Sequence, residues 1–249
     1  MPSPPRRRPA SELDLPPPFS LVTLREVGDA FAHAKAIAAD AGAGTLVHVG
    51  RFDLSEFAVV LEPEEPLASA RWAFYVGMVA LYDALVAHAP PDRPIDIRWP
   101  DAIYVDGGLI GGGRLAWPAG TDDAAEPDWL VFGATVRLVS LGKEEAGLRP
   151  LATALTEEGF DDVGSGRLAE SFARHLMLAL DAWRAGGPQA VTRTFLDRLR
   201  LEKGAIPALG PEGDLLVRWR GKGEPDRHAL ADALANPSWL DPSTGGPHA

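Results

Sequence analysis

The sequence predicts an α+β fold, helices packed on a sheet, and three observations predict it. Short apolar segments recur between turn residues, at 19–24, 45–49, 57–61, 95–99 and 102–105. Asp106-Gly107-Gly108 stands between Val105 and Leu109, the turn of a hairpin over 103–117. Residues 67–88 carry Trp72, Tyr75, Val76, Val79, Tyr82, Leu85 and Val86 on one broad apolar face. A stripe that wide is expected of a helix lying on a sheet.

Taken in order, residues 1–18 read as a solvated Pro/Arg-rich tail, with arginines at 6–8 and prolines at 16–18. No apolar h-region follows the charges, so they do not read as a secretory leader. A strand at 19–24 leads to a helix at 27–39, where Val27, Phe31, Ala34 and Ala38 recur at helical spacing and Gly42 and Gly44 end it. Strands at 45–49 and 57–61 flank a loop with Gly50, Arg51, Asp53 and Ser55. The helix at 67–88 stops at Pro90-Pro91. After the hairpin come strands at 129–141 and 152–158, then an amphipathic helix at 166–185 with Leu168, Phe172, Leu176 and Trp183 on one side. Gly186-Gly187-Pro188 separates it from a helix at 188–201. Beyond 203 the chain reads as strand, turn at 211–214, strand, and a short helix at 226–235. We expect one main domain at 19–203 and a small C-terminal appendage at 204–249, too short for a core of its own.

Composition removes several functions. With 24 Lys+Arg against 35 Asp+Glu the net charge is −11, which argues against nucleic acid as a partner, since phosphate neutralisation needs clustered cations. No apolar run approaches the ~20 residues of a membrane helix, and a cytoplasmic location is expected. The absence of cysteine leaves no disulfides, no Cys-based zinc site and no thiolate nucleophile. The histidines and carboxylates form no zinc motif, so no metal site is expected.

The informative stretch runs Arg98-Trp99-Pro100-Asp101-Ala102-Ile103-Tyr104-Val105, then the turn, then Leu109-Ile110-Gly111-Gly112-Gly113. It resembles the central signature of the biotin/lipoate A/B protein ligase family, in which Lys-Trp-Pro-Asn-Asp precedes an Ile-Tyr-Val-like strand, a turn and Lys-Ile-Gly-Gly. Gly50-Arg51-Phe52 is similar to the end of that family's Gly/Arg-rich ligand loop, and residues 129–136 resemble its later glycine-bearing strand. The resemblance covers about residues 19–200. It implies a mixed, mostly antiparallel sheet backed by helices, the class II synthetase-like catalytic fold. It also implies ATP-dependent activation of a carboxylic acid to an acyl-adenylate, with ATP and Mg as cofactors if the chain is active. The acyl group would pass to a lysine of a biotinyl or lipoyl carrier domain.

The chain departs from the pattern where the chemistry lies. The family's lysine before Ile-Gly-Gly is Leu109, its aspartate after Trp-Pro-Asn is Ala102, its asparagine is Asp101 and its first lysine is Arg98. Leucine cannot replace a cation, and arginine differs from lysine in reach and geometry. No hydroxyl stands near Gly28-Asp29-Ala30, where the family places ligand contacts. The cysteine-dependent octanoyl-transfer branch is excluded outright.

The residues that would carry a function are Arg98 and Asp101 for chemistry. His48, Gly50, Arg51, Trp99, Pro100, Gly111, Gly112, Gly113, Gly133 and Thr135 would line the ligand cleft. Glycines permit close backbone approach to a ligand, and they equally fit a bulge or tight sheet bend. Arg51 and Arg98 are the expected charge partners; in a working ligase with relocated charges Arg114 would add to their positive field. The ligand would be a small carboxylic acid of the biotin, lipoate or octanoate kind. Three readings stand in order: a binding protein with lost or altered ligase activity, a working ligase with relocated charges, and a non-catalytic scaffold.

Overall fold

The computed structural model describes residues 13–141 and 151–248. Seven strands form a sheet in the order β1-β2-β3-β7-β6-β5-β4. They are β1 (Ser20–Leu24), β2 (Thr45–Val49), β3 (Leu54–Leu61), β4 (Ile95–Arg98), β5 (Ala102–Val105), β6 (Gly108–Ala116) and β7 (Leu130–Arg137). Only β1 and β2 run parallel; every other pair is antiparallel. The sheet is mixed and mostly antiparallel, as the resemblance implied.

Each face of the sheet has its own cover. On one face lie α2 (Leu67–Ala70), α3 (Ala73–Val86) and α4 (Ser165–Leu196). Phe57 and Phe132 point to that side and meet Phe172 of α4, with the Phe132 and Phe172 rings stacked at 5.6 Å. Nearly all of α3 is buried, because it packs between the sheet and α4. The other face is only half covered by a helix. There α1 (Ala30–Ala41) sets Ala30, Phe31, Ala34 and Ala38 on Val47, Val49, Ala58, Val60 and Val131. The β5-β6 half of that face is covered by residues from the chain's C-terminal end, above all Trp239.

Several expected boundaries change. The helix predicted from residue 27 starts at Ala30: Val27 is 97% exposed, and the Asp29 carboxylate accepts the Ala32 N–H at 2.8 Å to cap the first turn. The single helix at 67–88 is two pieces with a turn at Arg71-Trp72. The two helices predicted on either side of Gly186-Gly187-Pro188 are both present, as the two halves of α4, and they meet at a kink where Gly187 leaves helical geometry (φ 61°, ψ −160°). The strand expected at 152–158 is a series of turns with one bridge from Ala152 to Leu109. Its Thr153 hydroxyl and Ala154 N–H bond to Glu157 and Glu158 within the segment, which competes with ladder formation.

Residues 13–18, expected in the tail, lie against α4: Leu13 and Leu15 pack on the core, the Asp14 N–H donates to Glu170, and Arg174 pairs with Asp14. Residues 1–12 of that tail lie outside the described residues. Beyond α4, β8 (Ala205–Leu209), β9 (Leu215–Trp219) and β10 (Asp226–His228) form a small antiparallel sheet, followed by α5 (Leu230–Ala235). The helix expected at 226–235 is thus half strand. Trp72 and Tyr75 tie this sheet to the helix layer, donating to the carbonyls of Pro211 and Gly213 at 3.1 and 2.5 Å.

Candidate ligand site

The face of the sheet that carries α1, left without a helix over its β5-β6 half and covered there by Trp239, brings several of the sequence motifs together. Residues paired across an antiparallel ladder share a face. The pairs Ala102↔Gly112, Gly112↔Thr135, Glu56↔Thr135, Arg114↔Gly133 and Ala58↔Gly133 therefore put these side chains on the α1 side. Leu109 joins them through a bulge. In β6, Leu109 opposes Tyr104 while Gly111 opposes Ile103, so Ile110 is the extra residue. That shift brings Leu109 and Gly112 to one face although three positions separate them.

At the bulge Gly111 has φ 151°, a conformation closed to most side chains, and a Cβ there would enter the Thr135 carbonyl. A Cβ on Gly112 would strike the Asp101 carbonyl and the Trp239 indole; one on Gly133 would strike Phe31. Gly113, expected beside the ligand, faces the helices instead, against Met78 and Phe132. Alternation along β6 explains this: Gly112 and Gly113 cannot share a face.

His48 is also on the helix side. Its Nε2 lies 2.7 Å from the Ser165 hydroxyl at the start of α4, and burial holds its pKa below the usual value. Trp99 points toward α3, donating to the Tyr75 hydroxyl at 3.0 Å and packing on His228 at 5.7 Å. Pro100 is buried beside it. The sequence could not show these orientations because it does not state which neighbours each face meets.

The predicted cations already have partners. Arg51 makes a two-pronged pair with Asp53, Nε to Oδ1 at 2.9 Å and Nη2 to Oδ2 at 2.7 Å, which raises its own pKa and lowers that of Asp53. Gly50 donates to the Leu24 carbonyl. Arg98 is exposed, with its guanidinium 3.6 Å over the Tyr104 ring. Asp101 is 1% exposed and accepts from the Ser238 N–H at 2.9 Å and the Ser238 hydroxyl at 2.6 Å. Burial pushes its pKa up to about 6, against the pull of the Ser238 bonds.

This face carries Arg98 at its exposed β4 edge, where it pairs with Ala102, and Arg114 in the interior. The Arg114 guanidinium lies 4.3 Å from the Phe31 ring and 5.9 Å from the Trp239 ring, and burial lowers its pKa against the nearby charges of Asp29 and Glu56. Its Nε is buried with no hydrogen-bond partner among the described residues. The same is true of Oγ1 of Thr135, a residue with no exposed surface. Glu56 completes the group. It accepts the Ala30 N–H at 2.7 Å, and burial raises its pKa. N–H groups at the start of α1 are thus taken by the carboxylates of Asp29 and Glu56.

Leu109 and Ala102, two of the departures from the family motif, form an apolar cluster with Trp239. The indole Nε1 donates to the Gly113 carbonyl at 3.2 Å. Arg137 holds the end of the same segment, its Nη2 donating to the carbonyls of Pro247 and His248 at 2.7 and 2.8 Å. Sequence reasoning missed Trp239, Phe31, Glu56 and Arg137. A tryptophan in a Pro/Gly-rich end was the one signal that could have drawn attention to that segment.

Residues 15–197 match the model of the biotin/lipoate A/B protein ligase family. The chain belongs to this family. A biotin protein ligase-like protein of unknown function from Silicibacter sp. tm1040 is similar in structure, with TM-score 0.75 and 28% identity over 89% of this chain and 98% of that one. The Aquifex aeolicus biotin protein ligase, solved in complex with biotin and ATP, has TM-score 0.64 and 14% identity over 84% and 94%. The Leishmania major biotin protein ligase, solved in complex with biotin, has TM-score 0.54 and 17% identity over 86% and 99%. The two ligases show the shared fold. No curated protein matches the chain. No described helix is long and apolar enough to cross a membrane.

Proposed function

We propose that this chain is a ligand-binding member of the family that takes a small carboxylic acid, or an acyl-adenylate, on the open face of its sheet and has lost the ligase reaction. The observation that carries the reading is the pairing of an apolar cluster with unsatisfied polar groups on one face. Leu109, Ala102 and Trp239 close together where adenylation would need a lysine and an aspartate. Beside them, Arg114 Nε and Thr135 Oγ1 remain buried without partners among the described residues. Buried polar groups are ordinarily paired, and an unpaired one costs about 1–3 kcal/mol, so such a face suits a ligand with hydrogen-bonding groups.

The similar ligases solved with biotin or with biotin and ATP suggest the ligand class: biotin, lipoate or octanoate. The residues present do not fit adenylation with ATP and Mg. Activation requires cations on the approaching carboxylate and the α-phosphate. Arg51 is neutralised by Asp53, Arg98 stacks on Tyr104, and Glu56 and Asp29 oppose Arg114. A working ligase is the second reading, and Arg114 favours it, as a relocated cation that could meet the acid. Acyl transfer to a carrier lysine follows only from that reading.

ATP–pyrophosphate exchange with biotin, lipoate and octanoate separates the two. The expected outcome is no exchange with any acid, together with a rise in Tm on adding at least one of them. Exchange with any acid establishes the ligase; absence of both responses overturns the binding reading.

A further inference from the structure

The end of the chain lies on the site described above, although the family match stops at residue 197. Trp239 has no exposed surface, and Gly246 and Pro247 are buried, yet the segment has no helix or sheet ladder of its own beyond the Leu240–Pro247 bridge. Three separate grips hold it down. Ser238 clasps the Asp101 carboxylate with two hydrogen bonds, Trp239 donates to the Gly113 carbonyl, and Arg137 takes the carbonyls of Pro247 and His248. Asp101 and Arg137 grip with side chains, whereas Trp239 uses its own side chain on a sheet carbonyl.

The indole rests on Leu109, Ala102 and Gly112, three positions that the family resemblance puts at the ligand. It fills space there but leaves hydrogen bonds unmade. Neither Arg114 Nε nor Thr135 Oγ1 makes a hydrogen bond with the segment, although the Arg114 guanidinium lies 5.9 Å from the Trp239 ring. A permanent cover would be expected to satisfy the polar groups it buries. An occupant that supplies shape alone leaves those groups to whatever displaces it.

We infer that residues 238–248 are an intramolecular occupant of the ligand site, with Trp239 as the group that an incoming acid displaces. This rests on the ligand-binding reading. In the closed molecule only the fraction with Trp239 lifted binds, so the apparent Kd is weakened by that fraction. Loosening the segment strengthens binding without any new contact to the ligand.

The test uses the full chain as wild type, Ser238→Ala and Trp239→Ala. Biotin, lipoate and octanoate are the probes, with Kd from calorimetry and amide hydrogen exchange of residues 238–248. Ser238 is exposed, and alanine there removes the hydroxyl bond to Asp101 while keeping the N–H bond, so that variant keeps the test open if Trp239→Ala folds poorly. We expect both variants to bind an acid about tenfold or more tightly than wild type, as release from a state closed ten to one requires. In wild type, the ligand should speed exchange across 238–248. Equal affinities with unchanged exchange overturn the occupant and leave the ligand reading standing. Weaker binding by Trp239→Ala, with Ser238→Ala unchanged, also overturns it, making Trp239 a wall of the site. Binding by no variant overturns the ligand reading and this inference together.

Discussion

At the residue scale, Asp101 and Gly112 decide how the site is closed. The Asp101 carboxyl has its pKa raised from 3.8 to about 6 by burial, so the folded chain holds a proton that the unfolded chain has released. Linkage then gives a definite sign: stability falls as pH rises from about 4 to about 6, and the loss is complete above that window. Two pKa units correspond to roughly 3 kcal/mol as an upper figure. Urea unfolding at pH 4.5 and 7.5 should show this slope in wild type and a smaller one in Asp101→Asn, with the buried Glu56 supplying part of the remainder; identical slopes would remove Asp101 as a source. Gly112 tests the close approach. Any Cβ there meets the Asp101 carbonyl, which is backbone and cannot swing aside, as well as the indole of Trp239. Gly112→Ala should destabilise the protein by about 2–3 kcal/mol in the same measurement, as overpacking does. Gly133→Ala should cost less, because Phe31 is a side chain and can turn.

At the element scale, α4 shows how much a sequence signal means. Gly186-Gly187-Pro188 reads as a separator of two helices, and only Gly187 leaves helical geometry. Its φ of 61° with ψ of −160° is open to almost no residue except glycine. Gly187→Ala should therefore cost about 1–3 kcal/mol, while Gly164→Ala, at an ordinary φ of −86° with open space around its Cβ, should cost far less. Thermal unfolding of both variants checks this, and equal shifts would mean that the break carries no strain. The other elements divide by how local their determinants are. The hairpin turn at Asp106-Gly107 was legible because both residues take positive φ, which Asp and Gly supply. The turns at 152–158 were read as a strand because their apolar residues suit either form. Only the contacts of Thr153 with Glu157 and Glu158 select the turns.

At the scale of the whole molecule, the C-terminal residues are joined to the rest at two places. Trp72 and Tyr75 on the helix layer hold the loop before β9, and Asp101 and Arg137 on the sheet hold the segment after α5. The small sheet has few buried side chains of its own: Leu215 and Val217 from β9, with Leu230 and Leu234 from α5 beside them. A core of that size does not stand alone. Circular dichroism and tryptophan fluorescence should therefore report one coincident unfolding transition. A separate early transition in fluorescence would mean that the C-terminal residues fold and unfold on their own.

By itself, the sequence determined the class of fold, the order of nearly all its elements and the family, because periodicity, turn residues and the run from Arg98 to Gly113 are local properties. It also determined that the family's lysine and aspartate are missing, since Leu109 and Ala102 stand in their places. Tertiary structure alone decided what those replacements mean. A one-residue bulge turned Leu109 toward Gly112, strand alternation sent His48 and Gly113 to the helices, and a loop pairing absorbed Arg51. The same packing laid Trp239 over the apolar gap from more than a hundred residues away. Which side chains share a face and which distant segment covers them depends on pairing between remote parts of the chain, and no local pattern encodes that.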